Sequence, residues 1–155
     1  MKRIGEILIE NGSINATQLE AALLFQKKSP GKLIGKILID LGYVTEEEIV
    51  IALSTQFNVP YLSLGNFTFT EQRADKMIPQ ALIAKYLCIP LERNGNLLTI
   101  VMSDPTHEEA IHAIEEATKA KVQVFVSTPT EIAKVLERIY HIDVNASQPK
   151  AVQKT

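Results

Sequence analysis

The sequence predicts an α+β protein: an N-terminal four-helix repeat subdomain followed by a small α/β sandwich-like domain. Three observations lead to this class. A segment near the N-terminus is repeated at an offset of thirty residues. Helical periodicity ends at Asn58-Val59-Pro60, and Arg93-Asn94-Gly95-Asn96 is a strong hairpin signal between two later β-rich runs. We therefore predict a helical subdomain at 1–58, an α/β subdomain at 60–142 and a tail or linker at 143–155.

The composition is that of a folded protein and excludes several classes of function. Hydrophobic residues make up 46% of the 155 residues, and the formal net charge is −2. No DNA or RNA partner is expected, because proteins that coat nucleic acid usually present a strongly basic face. The longest apolar runs, such as Ile49–Leu53, are far shorter than the ~20 residues of a membrane helix, so no direct membrane insertion is expected. Cys88 is the single cysteine, which excludes an intramolecular disulfide and favours a reducing, cytoplasmic setting.

The repeat consists of residues 3–26 and 33–56. Identical residues fall at nine aligned positions: Ile4/Ile34, Gly5/Gly35, Ile7/Ile37, Leu8/Leu38, Ile9/Ile39, Gly12/Gly42, Ala22/Ala52, Leu23/Leu53 and Gln26/Gln56. Each copy predicts a short helix, a tight turn at its central glycine and a longer helix, and a polar connector at Lys27–Lys32 separates the copies. In the second copy, Thr45–Glu48 is a capping box that begins the longer helix. Because short helices cannot each bury an apolar face alone, the two copies are expected to pack together.

After Pro60 the pattern alternates between short strands and helices. The predicted elements are a strand at 61–64, helices at 70–78 and 80–87, β-rich runs at 89–92 and 97–102, an amphipathic helix at 106–119, a strand at 122–126, and a final helix to Tyr140 capped by Thr128-Pro129-Thr130-Glu131.

No constellation of side chains indicates catalysis. The histidines of His107-Glu108-Glu109-Ala110-Ile111-His112 are about 140° apart around a helix, so they do not form a zinc-protease site and are expected on its solvent side. Cys88 lies in an apolar run and is expected to be buried. No glycine-rich phosphate loop occurs, so the chain is predicted neither to bind nor to hydrolyse ATP. We predict a protein that is not an enzyme and has neither a metal site nor a cofactor.

The repeat itself has unusual features that suit either helix packing or a ligand. Gly5 and Gly35 lie near the starts of short helices, where glycine is costly unless a helix or a ligand approaches the backbone closely. Arg3 could stack on a base and bind a phosphate, and Gln26 and Gln56 end otherwise apolar stripes. Two copies would suit a two-fold ligand with two bases and two phosphates. Equally, the glycines could serve packing and the connector lysines could be solvated.

Both copies resemble the tandem motif R-L-G-x-x-[LVI]-[LVI]-x-x-G-[LVI]-[LVI]-x-x-x-x-L-x-x-x-L-x-x-Q found in the N-terminal domains of type II secretion and type IV pilus assembly ATPases. The resemblance extends through the second domain to about residue 142, over Ile78-Pro79, Cys88–Leu91, Gly95–Thr99, Met102–Pro105 and Thr130–Tyr140. In the cyclic di-GMP-binding branch of that family, two such motifs hold the dinucleotide. The catalytic ATPase core that follows in the family is not in this chain.

Carried over by position, the resemblance implies a cyclic di-GMP site. Its residues are Arg3, Ile4, Gly5, Leu8, Leu23 and Gln26 in the first copy, and Leu33, Ile34, Gly35, Leu38, Leu53 and Gln56 in the second. The aliphatic side chains would form the walls and Arg3 would contribute most. Ser13 and Tyr43 stand where the motif has aliphatic residues, and Leu33 stands where it has arginine. The adjacent Lys32 could substitute only as a point charge, since it cannot stack or fork as arginine does.

Two functions are therefore compatible with the sequence. The first is a non-catalytic regulatory module that binds cyclic di-GMP and acts on a secretion or pilus ATPase core. The second is a docking module for an inner-membrane platform protein of the same machinery, in which the repeat serves packing and no nucleotide binds.

Overall fold

The predicted helical repeat forms a compact unit of its own. In a computed structural model, which describes residues 3–66 and 77–144, the chain divides into two units, Met1–Pro60 and Tyr61–Thr155. The first, here called the repeat unit, contains four helices: α1 (Ile4–Glu10), α2 (Ala16–Lys28), α3 (Ile34–Asp40) and α4 (Glu46–Phe57). Its described residues include no β-strand.

The turns and helix starts of the repeat unit follow from local chemistry. Gly12 and Gly42 end the two short helices with φ of +78° and +79°, a conformation that a side chain disfavours. Thr45 and Glu48 form the predicted capping box at the start of α4, each side chain accepting a hydrogen bond from the other residue's amide. Asn15 begins α2 in the same way with Gln18, so both longer helices start with two of their amides satisfied.

The two copies pack by exchanging partners. The short helix α1 packs against α4 of the other copy, and α3 packs against α2. The shared core consists of Ile7, Leu8, Ile14, Ala22, Ile37, Leu38, Val44, Ile49 and Ala52. A hydrogen bond between Ser13 and the Glu48 carboxylate also joins the copies and lowers the pKa of Glu48. Ser13, which departs from the aliphatic motif, thus has a structural role at this junction.

The second unit, here called the sheet unit, is built on a three-stranded sheet. Its strands are β1 (Ile89–Asn94), β2 (Leu97–Met102) and β3 (Lys121–Val126), in the order β1-β2-β3. The first two strands pair antiparallel through the predicted hairpin, where Gly95 has φ of +59°, and β3 pairs parallel with β2. The parallel pair requires a crossover, which α6 (Glu108–Thr118) supplies.

Among the described residues of the sheet unit, three helices accompany the sheet. The first is α5 (Gln80–Tyr86), which contacts α6, and the last is α7 (Pro129–Tyr140), which packs against β1 and β2. Thr128 caps α7 by accepting a hydrogen bond from the Glu131 amide, and Pro129 occupies its first turn as predicted. Strands and helices enclose one apolar core, so the α+β class is confirmed.

Four predicted segments differ from the structure or fall outside its described residues. The strand at 61–64 is reduced to a single bridge between Tyr61 and Val126, followed by a 3₁₀ turn at Leu64–Asn66. The Glu131 carboxylate accepts hydrogen bonds from Ser63 Oγ and Leu64 N, so these residues bond to the start of α7 instead of extending a strand. The amphipathic helix begins at Glu108 instead of at residue 106, because the Asp104 carboxylate holds Thr106 in a turn. The helix at 70–78 and the tail at 143–155 lie outside the described residues except for positions 77–78 and 143–144.

Candidate ligand site in the tandem repeat

Arg3 and Leu33 occupy equivalent positions at the N-caps of α1 and α3. Their backbones are nearly superimposable, with φ/ψ of −75°/154° at Arg3 and −73°/145° at Leu33. Both residues are exposed, and Leu33 retains 75% of its accessible surface. Neither side chain caps its own helix. The backbone therefore presents two equivalent positions for a ligand contact, of which one carries a guanidinium and the other an apolar side chain.

The aliphatic residues of the motif divide into core and surface positions. Leu8 and Leu38, which were predicted in the walls of the site, are completely buried and expose no surface to a ligand in this structure. Each lies one turn after the helix start, where its helix is covered by the helix from the other copy. The remaining wall residues keep accessible surface: Ile4, Ile34 and Leu53 are half-buried, and Leu23 is 43% exposed.

The motif glycines make room for helix packing within each copy. A Cβ on Gly5 would lie 2.8 Å from Leu19 Cδ1, closer than carbon atoms can approach. At the equivalent place in the second copy, a Cβ on Gly35 would lie 3.4 Å from Ile49 Cγ2, which is ordinary contact. Gly5 is buried and Gly35 is half-buried. The repeated glycine is therefore accounted for by side-chain packing, most strictly at Gly5.

The motif glutamines lie in the last turns of α2 and α4 and are both half-buried. Gln26 Nε2 donates a hydrogen bond to the carbonyl of Lys32 at 3.1 Å, which ties the end of α2 to the residue before the N-cap of α3. Part of its hydrogen-bonding capacity is thus already used by the connector. This hydrogen bond places Gln26, which belongs to the first copy, beside the start of α3 in the second copy, where Leu33 is the N-cap.

Partner exchange makes each half-site composite. The start of α3, with Leu33, Ile34 and Gly35, belongs with α2, which carries Leu23 and Gln26. In the same way, the start of α1 carries Arg3, Ile4 and Gly5, and α1 packs against α4, which carries Leu53 and Gln56. Each pair of helices therefore combines the beginning of one motif with the end of the other. Sequence comparison, which treats each copy as a unit, does not reveal this exchange.

An ion-pair cluster on α3 joins the connector residue Lys32 and the helix residue Lys36 to one carboxylate. Lys32 Nζ lies 2.8 Å from Asp40 Oδ2, and Lys36 Nζ lies 3.4 Å from Asp40 Oδ1. These contacts, chiefly the hydrogen bond from Lys32, lower the pKa of Asp40 below its usual value. Lys27 and Lys28, at the end of α2, are exposed. The connector is therefore not a uniformly free basic stretch, because its half-buried lysine is already paired with a carboxylate.

An apolar patch on the surface of α2 was not predicted from the sequence. Leu24 and Phe25, which follow the motif residue Leu23, are 61% and 54% exposed. Their equivalents in the second copy are the polar Ser54 and Thr55. Comparing the two copies position by position would have identified this patch, since the apolar pair occurs in one copy alone.

The residues considered for catalysis in the sheet unit form no site. His107 was predicted on the solvent side of the helix, but it is the N-cap of α6 and packs edge-on against the Tyr86 ring. His112 is exposed. Cys88 is fully buried, as predicted, and burial raises the pKa of its thiol to about 12. Across residues 3–66 and 77–144, no group of carboxylates, histidines or cysteine could hold a metal ion, and no helix is long and apolar enough to cross a membrane.

Comparison with known proteins identifies the family. The model of the MshEN domain family matches residues 57–146, which is more than half of the chain. The chain belongs to the MshEN domain family. The type IV pilus assembly ATPase PilB of Myxococcus xanthus is 30% identical over 138 residues, and PilB of Acinetobacter baylyi is 33% identical over 129 residues. These alignments cover 89% and 83% of this MshEN chain but only 24% and 22% of the two ATPases, so the chain spans about a quarter of the length of its curated relatives.

Solved structures of MshEN relatives have the same fold. A structure of MshE with cdg, cyclic di-GMP, superposes with a TM-score of 0.77 at 27% identity and covers 90% of this chain and 100% of that chain. The N-terminal domain of XpsE superposes with a TM-score of 0.66 at 22% identity and covers 88% of this chain and 92% of that chain. The resemblance to N-terminal domains of type II secretion and type IV pilus ATPases is thereby confirmed.

Proposed function

We propose that this MshEN domain is a non-catalytic, cytoplasmic regulatory module of a type II secretion or type IV pilus system and that it binds cyclic di-GMP through its tandem repeat. The observation that carries the proposal is the similarity to MshE with cdg over 90% of the chain, a coverage that the sheet unit alone cannot supply. The module would convey the presence of the dinucleotide to an ATPase core, because its curated relatives are pilus assembly ATPases of which it matches one part.

The geometry of the repeat unit supports a two-fold ligand. Arg3 and Leu33 begin equivalent helices with the same backbone conformation, and partly exposed aliphatic side chains accompany both. A cyclic dinucleotide offers two bases and two phosphates, so each half could meet one composite half-site. Arg3 is the residue suited to stack on guanine and fork onto phosphate. Leu33 offers apolar contact without charge, which predicts unequal halves.

A catalytic role is not proposed, because the chain lacks the groups that phosphoryl transfer requires. The sequence contains no glycine-rich phosphate loop with its lysine and metal-holding hydroxyl. The free energy of dinucleotide binding would instead favour one conformation, or one contact, of the ATPase core.

Isothermal titration with cyclic di-GMP tests the proposal directly. Arg3→Ala is expected to weaken binding by about one to two decades, since a hydrogen bond to a charged group contributes roughly 1.5–3 kcal/mol. The control is Arg138→Ala, which removes an arginine from an exposed position in α7 of the sheet unit and should leave the affinity for cyclic di-GMP unchanged. Guanosine monophosphate, which has a single base and phosphate, should bind much more weakly than the cyclic dinucleotide. Equal affinity of wild type and Arg3→Ala would contradict the assigned site.

A docking function for an inner-membrane platform protein is the second candidate, and the apolar patch on α2 favours it. Leu24 and Phe25 are adjacent, apolar and more than half exposed, and contiguous exposed apolar surface is typical of a protein contact. If neither wild type nor Leu33→Arg produces heat with cyclic di-GMP, the docking function is preferred. Replacing Leu24 and Phe25 by serine should then abolish binding to the cytoplasmic part of the platform protein and leave thermal stability unchanged.

A further inference from the structure

We propose that Asp40 restrains Lys32, the cation that stands beside the missing arginine, and thereby weakens the second half-site for phosphate. This inference rests on the proposed function, because it concerns how the same repeat would bind a cyclic dinucleotide. It assigns Asp40, which occupies an unspecified position of the second motif and lies outside the predicted site, a role in setting affinity. Asp40 would act through Lys32 and is therefore a positioning residue.

The ion pair draws the Lys32 charge away from the start of α3. Lys32 precedes the N-cap Leu33, whereas Asp40 is the last residue of α3, about 9 Å along the axis from Ile34. Lys32 Nζ lies 2.8 Å from Asp40 Oδ2, so the side chain must extend along the helix toward its C-terminal end. The residues expected to contact the ligand lie at the opposite end of that helix. The ammonium is therefore displaced from the place where a phosphate would need it.

The backbone of Lys32 is held in position by a hydrogen bond, whereas its side chain is held by a partly exposed ion pair. Gln26 Nε2 donates to the Lys32 carbonyl at 3.1 Å, which fixes the base of the side chain beside Leu33. The Lys32 and Asp40 side chains keep 31% and 34% of their accessible surface, and ion pairs at such exposure contribute little to stability. A lysine side chain is long enough to turn back toward the start of α3 once its partner is removed. The restraint is therefore weak enough for a phosphate to compete with it.

The motif cation of the first copy, Arg3, is placed differently from Lys32. Arg3 is the N-cap of α1 itself and makes no ion pair with the described residues. At the positions equivalent to Lys32, Lys36 and Asp40, the first copy has Lys2, Glu6 and Glu10. The guanidinium of the first half-site thus stands at the helix start, whereas the ammonium of the second is held toward the helix end. The two halves differ in where the charge is held as well as in which residue carries it.

Titration of Asp40→Asn with cyclic di-GMP tests the proposal. The variant keeps the size of the side chain and is expected to bind about threefold to fivefold more tightly than wild type, the effect of one partly screened charge interaction. Its affinity should also fall more steeply with added NaCl, since a new lysine–phosphate contact is screened by salt. Glu20→Gln, on the exposed surface of α2, removes the same charge from the repeat unit and should change neither quantity. Thermal unfolding of each variant checks that the fold is retained.

A double-mutant cycle identifies the cation. In the Lys32→Met background, Asp40→Asn should give no gain, whereas in the Lys36→Met background the gain should persist. A gain that survives Lys32→Met, or that Glu20→Gln reproduces, would overturn the inference and leave the proposed function intact. The same holds if wild type binds and Asp40→Asn binds equally well. If wild type, Asp40→Asn and Leu33→Arg all fail to bind, the proposed function itself is wrong and the inference is refuted with it.

Discussion

Leu33→Arg restores the motif arginine and tests whether its absence limits the second half-site. Leu33 begins α3 with a backbone conformation within about 10° of that of Arg3, so an arginine there would start from the same place as its counterpart. The side chain is 75% exposed, which leaves room for a longer group. The substitution therefore changes the chemistry of the second half-site without altering the path of the chain.

The cost of this substitution to stability should be small. Full burial of a leucine contributes roughly 2 kcal/mol, and Leu33 has only a quarter of its surface buried, so the loss is about 0.5 kcal/mol. No side-chain cap hydrogen bond is lost, because Leu33 makes none. For a unit of this size, that corresponds to a decrease in Tm of roughly 2–4 °C. Thermal unfolding followed by circular dichroism measures it.

The expected gain in affinity is larger than this cost. A hydrogen bond from the new guanidinium to a phosphate contributes roughly 1.5–3 kcal/mol, so cyclic di-GMP should bind about one to two decades more tightly. Isothermal titration of Leu33→Arg beside Leu33→Gln separates the effect of charge from that of removing an apolar side chain. If the two variants bind with equal affinity while wild type also binds, the missing arginine does not limit the second half-site and the two-fold model of the site is wrong.

Two further predictions concern the stability of the repeat unit. Gly5→Ala should leave the protein about 1 kcal/mol less stable than Gly35→Ala in urea unfolding, because only the Gly5 methyl would overlap a neighbouring side chain. Equal stabilities would show that the neighbour moves aside without cost. The pKa values of Asp40 and Glu48 are depressed below their ordinary 3.8 and 4.5, so the ionised carboxylates stabilise the folded state. That contribution is complete above about pH 4.5 and is lost as the pH falls through the folded-state pKa values. The free energy of unfolding should therefore fall less steeply with decreasing pH in the double variant Asp40→Asn/Glu48→Gln than in wild type. Parallel curves for the two proteins would contradict this assignment.

Features that depend on neighbouring residues could be predicted from the sequence. The Thr45 capping box and the positive φ of Gly12 arise from hydrogen bonds and steric limits within about four positions along the chain. The hairpin at Gly95 has the same local origin, and its flanking β-rich runs pair as expected. The repeat was visible because internal comparison needs no knowledge of contacts. The family followed from these same residues, since the motif spacing is itself local.

Features that depend on which helix covers which face required the tertiary structure. Periodicity places Leu8 and Leu23 in apolar stripes, but only the exchange of partners between the copies buries the first and exposes the second. The bridge that replaces the predicted strand at Tyr61 depends on Glu131, a residue far along the chain. Likewise, the sequence is compatible with a solvated Lys32 in the connector, whereas in the structure its ammonium lies 2.8 Å from the carboxylate of Asp40, the last residue of α3. The sequence alone thus determined the helices, turns and repeat of the first unit, because local bonding sets them. Burial and charge pairing were decided by packing between segments that are distant along the chain.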